Sequence, residues 1–257
     1  FDAHEFFTEV PELSGSPMKK KLWTWVGRWG ISRANLCITV NGQLASILEE
    51  KYSCKFEVVR NVPQLRGKQL RVPREPKVVL YQGVLNRGRG LEVAIRTIVQ
   101  YKSEIQLHIA GEGDLSAYLR DLCVQVDSHN RVKFLGWKTR IELEKITTKA
   151  WLGLNLLDGN SLNYRYSLAN KFFDYMHALV PSINMNFPVY RQYIDRAPTG
   201  MCIDKLSITA LESALDKCMT DDSYYQELVN NCDQERALHH WGAESIHLIK
   251  LIDDIHA

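Results

Sequence analysis

Glycines and arginines follow one apolar segment of the chain and precede a helical pattern, in an arrangement suited to binding phosphate. After the strand-like run 77–82, the chain reads Gly83-Val-Leu-Asn-Arg87-Gly88-Arg89-Gly90. Glycines let a backbone approach a ligand closely, the following helix offers free N–H groups to an anion, and arginines supply forked donors. The alternative is a glycine turn with solvated arginines. The spacing matches neither a dinucleotide fingerprint nor a P-loop, which argues against an NAD-dependent enzyme and against an ATPase-type enzyme.

A second glycine turn follows the next strand-like run, 105–110. It contains Gly111, Glu112 and Gly113, with Asp114 beside them. Because strands and helices alternate here, we expect this turn to lie at the same sheet edge as the first and to contact the same ligand. The alternative is a tight strand-to-helix turn in which Asp114 caps the helix, and the two roles are compatible.

A third candidate site places an amide, a cation and a carboxylate at the start of a helix. Asn170 and Asp174 are four residues apart and therefore share a helical face, and Lys171 follows the first of them. An anionic, hydroxyl-rich ligand such as a nucleotide sugar matches this set of groups. The alternative for Asp174 is a solvated helix face.

Strand-like and helical patterns alternate between residues 76 and 206, which predicts an α/β fold. The strand-like runs are 77–82, 105–110, 132–135, 151–156, 180–183 and 201–203. One helical face is formed by Leu91, Ala94, Ile95 and Ile98. Thr139 with Glu142 fits a capping box that opens another helix. Right-handed crossovers then give a doubly wound parallel sheet, which binds ligands at the carboxyl ends of its strands.

The chain has a different pattern on either side of this region. Helical, basic and aromatic residues fill 17–33, and a strand, a helix and a strand are predicted at 36–40, 43–52 and 56–60. Residues 61–76 hold three prolines and several basic residues, which is typical of an interdomain linker. A long helix is predicted at 234–255.

Composition narrows the class of protein. The formal net charge is only +2, which does not indicate nucleic-acid binding, and no apolar run approaches the ~20 residues needed to cross a bilayer. The six cysteines form no C-x-x-C pair, so a structural zinc site is not predicted. We expect them to be reduced residues of a cytoplasmic protein rather than disulfides.

Together these segments resemble the retaining glycosyltransferases of family 4, over nearly the whole chain. The matching motifs are Phe-Asp-Ala-His-Glu at 1–5, Arg-Asn-Val-Pro at 60–63, Tyr-Gln-Gly at 81–83, Arg-Gly-Arg-Gly at 87–90, Ala-Gly-Glu-Gly-Asp at 110–114 and Ala-Asn-Lys-Phe-Phe-Asp-Tyr-Met at 169–176. That family has the GT-B fold of two facing Rossmann-like domains.

The resemblance implies one complete Rossmann-like domain and the C-terminal part of a second. Residues 65–234 would form the domain that binds the sugar donor, and 1–64 would be the C-terminal remnant of an acceptor-binding domain. The last helix, 235–257, would cross back to the first domain. The strands that precede a histidine such as His4 in the family are absent from the chain, so an exposed apolar patch is expected where they belong.

Members of the family transfer a sugar from a nucleotide-diphosphate-sugar donor, such as a UDP-sugar, to an acceptor with retention of anomeric configuration. The resemblance implies the same reaction here, with a glycan, a polysaccharide precursor or a lipid-linked acceptor. An arginine–lysine pair usually holds the diphosphate. Arg89 matches the lysine and Arg87 is a candidate second cation, whereas Val84 stands where arginine is common.

The family also carries two glutamates eight residues apart. Asp174 matches the second, which commonly binds ribose, while Tyr166 stands at the first and cannot act as a carboxylate. Asn170 and Lys171 are candidates to replace it in contacts with the sugar or phosphate. His4 matches a histidine near the donor sugar, although a lone histidine is more often structural.

The candidate catalytic residues are therefore His4, Arg89 and Lys171. Fixed cations can stabilise the negative charge of a departing nucleoside diphosphate without a metal ion. No Asp-x-Asp occurs in the chain, so neither a metal nor another cofactor is expected.

Two other functions remain open. A sugar-nucleotide epimerase would need an acid and a base near the sugar, for which only His4, Glu5 and Glu112 are candidates. Because Tyr166 replaces a glutamate, the chain is also compatible with a non-catalytic sugar-nucleotide-binding or regulatory protein.

Residues 19–29 combine basic residues with tryptophans. One interpretation is contact with an anionic membrane surface, where lipid-linked acceptors reside. The other, which the sequence favours, is a helix that packs its tryptophans inward and leaves its lysines solvated.

Overall fold

The computed structural model describes residues 1–10, 13, 15–65, 67 and 75–256. The predicted linker at 61–76 lies partly outside the described residues, at 66 and 68–74. Within the described part, no helix is long and apolar enough to cross a membrane. The strands form two separate sheets, both parallel.

The first sheet has three short strands in the order β1-β2-β3. They are β1 Asp2–Ala3, β2 Ile38–Thr39 and β3 Glu57–Val58, and the helices between them are α1 Pro17–Ile31 and α2 Gly42–Tyr52. A short 3-10 helix covers Phe7–Glu9. Asn41 caps α2, because its Oδ1 accepts a hydrogen bond of 2.8 Å from the backbone N–H of Leu44.

The second sheet has six parallel strands in the order β6-β5-β4-β7-β8-β9. They are β4 Lys77–Gln82, β5 Ile105–Ala110, β6 Val132–Gly136, β7 Leu152–Asn155, β8 Ser182–Met185 and β9 Gly200–Ile203. The connecting helices are α3 Leu91–Gln100, α4 Ser116–Val126, α5 Arg140–Thr147, α6 Leu162–Tyr166, α7 Asn170–His177 and α8 Pro188–Ile194, and α9 Ile208–Thr220 and α10 Asp222–Arg236 follow the last strand. The predicted α/β fold with a Rossmann-like, doubly wound sheet is confirmed.

Local patterns explain these helices. The four residues predicted to share one face of α3 are fully buried, and burial of each leucine or isoleucine among them stabilises the fold by about 1.5–3 kcal/mol. The capping box that opens α5 is present: Thr139 accepts from the backbone of Glu142, and the Glu142 side chain accepts from the backbone of Thr139.

The predicted cap on α4 is wrong. The N-cap residue is Leu115 rather than Asp114, and its side chain makes no capping bond. Instead, the hydroxyl of Ser116, the first residue of α4, accepts a hydrogen bond of 2.9 Å from the N–H of Gly113 and so closes the turn.

The single long helix predicted at 234–255 is also wrong. Helix α10 ends at Arg236, and a separate helix, α11, runs over Trp241–His256. Between them His239 is buried, 5.2 Å from the ring centroid of Tyr193, and its carbonyl accepts a 2.7 Å hydrogen bond from the His177 ring. These contacts turn the chain, which a helical pattern cannot reveal.

Helix α11 begins beside the segment that follows β3, the last strand of the first sheet. The N–H of Trp241 donates to the carbonyl of Pro63 at 2.8 Å, and the carboxylate of Glu244 accepts from the backbone and guanidinium of Arg60 at 2.9 and 2.8 Å. The guanidinium also donates to the hydroxyl of Tyr193 at 3.0 Å. Further along α11, three isoleucines are exposed, namely Ile246, Ile249 and Ile252.

The tryptophans of α1 do not pack inward as the favoured interpretation had it. Trp25 and Trp29 are exposed, and Trp23 packs only edge-on against the ring of Phe7, at 4.9 Å between centroids. The inner side of α1 approaches Tyr52 at Gly27, where a Cβ would lie 3.1 Å from the Tyr52 hydroxyl.

All six cysteines lie in the described residues and carry free thiols. Burial raises the pKa of Cys37 and Cys123 to about 11, which favours the protonated thiol at neutral pH.

Candidate functional site

The two glycine turns meet where the strand order reverses. The chain winds from β4 outward through β5 and β6, then returns to the other side of β4 at β7, and ligands of such sheets bind outside the strand ends at this point. Gly83 and Gly111 both have positive φ angles, of 133° and 143°. A Cβ at position 111 would lie 1.9 Å from the carbonyl oxygen of Gly83, so only glycine fits there.

The close approach at the second turn is therefore to protein backbone. A Cβ on Gly113 would lie 2.6 Å from the side-chain oxygen of Asn86, so this glycine is also required by packing. The carboxylate of Glu112 accepts a 2.7 Å ion-pair hydrogen bond from Arg120 of α4. These contacts explain the residues of the second turn without a ligand.

A cavity of about 510 Å³ opens beside the first turn. We call it the switch-point cavity, because it lies where the strand order of the sheet reverses. Six of the predicted site residues line it: His4, Gly83, Arg89, Asn170, Lys171 and Asp174. The remaining lining residues are Glu5, Val40, Asn61, Gln82, Val84, Leu143, Leu168 and Ala169. Residues from both sheets and their helices therefore meet there; we call the part of the chain with β1–β3 the first sheet unit and the part with β4–β9 the second.

Five predicted site residues lie elsewhere. Gly111, Glu112, Gly113 and Tyr166 do not line the switch-point cavity, and neither does Arg87. Arg87 lines a separate cavity of about 480 Å³, together with residues such as Asp158 and Asn160. Gly88, with a φ of 77°, separates the two arginines and turns the loop between them.

Arg89 is held by an aromatic ring rather than by a carboxylate. Its guanidinium carbon lies 4.7 Å from the centroid of the Tyr164 ring, and the hydroxyl of the same tyrosine donates to the carbonyl of Arg87 at 3.1 Å. The Nε of Arg89 is buried and has no hydrogen-bond partner among the described residues. The guanidinium therefore keeps donor capacity for an anion.

Lys171 is a buried cation in the first turn of α7. Its ammonium lies 3.9 Å from the centroid of the Tyr81 ring. Burial holds the pKa of Lys171 well below its usual range, and the nearby Arg89 lowers it further, while Asp174 raises it. Two cations thus share a desolvated site, an arrangement that a bound anion would relieve.

Asp174 lies one helical turn after Asn170, and both line the switch-point cavity, as their spacing predicted. Its carboxylate accepts a 2.9 Å hydrogen bond from the side-chain amide of Gln82, whose own oxygen accepts from the hydroxyl of Thr147 at 2.8 Å. Burial raises the pKa of Asp174 to about 6.

His4 reaches the cavity from the first sheet unit. Its ring Nε2 lies 2.8 Å from the carboxylate of Asp2, and both side chains are largely exposed. The following residue, Glu5, accepts a 3.1 Å hydrogen bond from the amide of Asn163, whose oxygen accepts from the backbone N–H of Phe6 at 2.9 Å. Asn163 therefore fastens the segment that carries His4 to α6.

Tyr166 is held through its backbone. Its carbonyl accepts a 2.8 Å hydrogen bond from the amide of Asn41, the residue that caps α2. This contact joins the end of α6 to the first sheet unit.

Sequence reasoning missed Gln82 and Asn163. For Gln82 the available signal was a glutamine at the end of a mostly apolar strand. Asn163 had no such signal, because its partners Glu5 and Phe6 lie more than 150 residues away along the chain.

Comparison with known proteins gives the family. The family described as glycosyl transferases group 1 matches residues 66–235, the region of the doubly wound sheet. Since this is more than half of the chain, the protein belongs to that family. An uncharacterized glycosyltransferase of Methanocaldococcus jannaschii is 35% identical over 81 residues, which cover 31% of this chain and 21% of that protein.

Solved structures support the GT-B fold at low sequence identity. The chain matches Anabaena HepE, solved in complex with UDP, with a TM-score of 0.77 and 14% identity, over 98% of this chain and 71% of that one. Sucrose-phosphate synthase of Thermosynechococcus elongatus matches with a TM-score of 0.77 and 17% identity, over 99% and 67%. The pneumococcal O-GlcNAc transferase GtfA, in complex with UDP and GlcNAc, matches with a TM-score of 0.74 and 12% identity, over 90% of this chain and 47% of GtfA.

Proposed function

We propose that the switch-point cavity binds the diphosphate of a nucleotide sugar and that the protein transfers the sugar to an acceptor. The observation that carries this proposal is the pair of cations Arg89 and Lys171. Neither pairs with a carboxylate within the described residues, and both line one cavity beside a glycine turn. UDP in the solved structures of HepE and GtfA makes a uridine nucleotide the first candidate.

The two cations suit the charge that develops in such a transfer. Departure of the nucleoside diphosphate places negative charge on its phosphates, and cations already fixed in a desolvated site stabilise that charge without reorganising. We assign this role to Arg89 and Lys171 and propose that no metal ion is required. Arg87 lies in the neighbouring cavity and is left out of this role.

The remaining lining residues suit the rest of the donor. A carboxylate such as Asp174 accepts hydrogen bonds from ribose hydroxyls, and the Asn170 amide offers contacts to phosphate or sugar. His4 stands on the opposite side, on the first sheet unit, where it would contact the donor sugar. We further propose membership of glycosyltransferase family 4, retention of anomeric configuration and a glycan or lipid-linked acceptor, on the motif resemblance. The six free thiols suit a cytoplasmic protein.

The first test is thermal stabilisation of the protein by UDP, GDP and ADP. A ligand that binds only the folded state raises the melting temperature. Arg89→Ala should abolish the shift, whereas Arg87→Ala, two residues away in the same loop, should keep it. The shift should also persist in EDTA. Equal loss of the shift in both variants, or no shift with any nucleotide, would contradict the assignment.

Tyr166 favours a second candidate function, a sugar-nucleotide-binding protein without catalysis, because a phenol stands at the family's first glutamate position. Incubation with the sugar nucleotide in the absence of acceptor separates the two. A transferase hydrolyses the donor slowly and an epimerase exchanges isomers, while a binding protein does neither.

A further inference from the structure

The outer face of α1 carries an apolar stripe that no described residue covers. Met18, Leu22, Trp25 and Trp29 recur every three or four residues, so they lie in a row on one side of the helix. Their exposed fractions are 84%, 58%, 63% and 53%. The opposite side of the helix faces the protein, where Ile31 is buried.

Cations border this stripe on both sides. At 100° per residue, Lys21 and Arg28 adjoin Trp25, while Lys19 lies beyond the other margin of the stripe, next to Val26. All three cations are exposed, and none forms an ion pair within the described ranges; Lys20, by contrast, pairs with Glu9. No Asp or Glu occurs between residues 13 and 48, so α1 itself carries no acidic residue.

We infer that this face of α1 docks on an anionic lipid surface. Tryptophan places its ring among acyl chains and its N–H among headgroups, while leucine and methionine enter the apolar layer. Lysine and arginine on the margins meet lipid phosphates. The distribution of charge argues against a second copy of the chain, because a symmetric contact would bring like charges together. Nucleic acid would leave Met18 and Leu22 without a partner.

The inference does not depend on the proposed sugar-nucleotide chemistry, because none of the four stripe residues or three cations lines the switch-point cavity. It therefore survives or fails independently of that proposal. Binding should weaken as salt rises, since the cations contribute through screened attraction.

The test is co-sedimentation of the full chain with vesicles of phosphatidylcholine alone and of phosphatidylcholine mixed with phosphatidylglycerol. One variant replaces Lys19, Lys21 and Arg28 with Gln, and a matched control replaces the exposed Lys133, Lys145 and Lys149 with Gln. A second variant, Trp25→Ala with Trp29→Ala, is matched by Trp137→Ala, since Trp137 is an exposed tryptophan on the other sheet unit. Unchanged circular dichroism shows that each variant is folded.

We expect binding to the anionic vesicles and a loss on the order of 100-fold in the α1 charge variant, with little change in its control. The tryptophan variant should lose binding too, unlike Trp137→Ala. Equal binding by the charge variant and its control overturns the proposal, as does an unaffected tryptophan variant. Absence of vesicle binding also overturns it. If the protein does not bind vesicles but forms a dimer in light scattering, and the tryptophan changes abolish that dimer, the stripe binds a second copy of the chain instead.

Discussion

The ammonium of Lys171 lies 3.9 Å from the centroid of the Tyr81 ring, and no carboxylate within the described ranges pairs with it. A ring face attracts a cation but does not neutralise it. The charged form of Lys171 is therefore costly in the interior beside Arg89, and only the Asp174 carboxylate favours it.

Replacing Lys171 with Met should change stability and ligand binding in opposite directions. The variant keeps the volume of the side chain and removes a buried amine whose charged form burial disfavours, so we expect the melting temperature without ligand to rise by about 2–4 °C. The shift caused by the best nucleotide should disappear. Differential scanning fluorimetry with and without nucleotide measures both effects, and retention of the full nucleotide shift would show that Lys171 is not a phosphate ligand.

The second prediction concerns the pH dependence of stability. Burial raises the pKa of Asp174 from 3.8 to about 6, so the folded state holds this proton more tightly than the unfolded chain does. The resulting contribution to stability is present below about pH 4 and is lost as pH rises towards 6. Asp174→Asn keeps an acceptor for Gln82 and cannot ionise. At neutral pH the variant should be more stable by about 2–3 kcal/mol in urea unfolding. Parallel pH profiles for the two proteins would argue against the raised pKa.

A third prediction separates binding from turnover. Asn163→Ala removes the amide that holds Glu5 and the backbone of Phe6, and with it the anchor of the His4 segment. We expect nucleotide affinity to stay within a few-fold, since no cation is touched, while donor hydrolysis falls on the order of 10- to 100-fold.

Two variants control this experiment. Asn163→Asp keeps an acceptor for the N–H of Phe6 but repels Glu5, so its turnover should fall as well. Asn160→Ala changes an exposed residue two positions before α6 and should behave as wild type. Hydrolysis kinetics and nucleotide titration together decide the matter, because a merely structural defect would lower affinity and turnover alike.

The fourth prediction concerns the contact between the glycine turns. Gly111→Ala should destabilise the fold by more than about 3 kcal/mol, because its Cβ would overlap the carbonyl of Gly83 and its φ is 143°. Gly42→Ala, at the start of α2, meets no atom within 4 Å and should stabilise by about 0.5–1 kcal/mol. Denaturant unfolding of the pair measures both changes, and similar values for the two would contradict the close contact between the turns.

Local signals explain what could be predicted. Strands β4 and β5 have the bounds that their apolar runs indicated, and the capping box of α5 is a pattern of adjacent residues. The clustering of Arg89, Lys171 and Asp174 followed from a general property of doubly wound sheets, whose strand ends share one edge.

What could not be predicted depends on contacts between distant segments. The sequence places Arg87 and Arg89 two residues apart, but the loop around Gly88 directs them into different cavities. The break between α10 and α11 depends on His239 and its contact with His177, and the tie between Asn163 and Glu5 joins the two sheet units. None of these contacts leaves a periodic pattern in the chain.

The segment that follows β3 and the start of α11 are joined at one place. Trp241 is bonded to Pro63, and Glu244 to Arg60. Sliding these two segments past each other would break all of these bonds. Asn41 and Asn163 join the two sheets at two further places, so any widening of the switch-point cavity has to break contacts there.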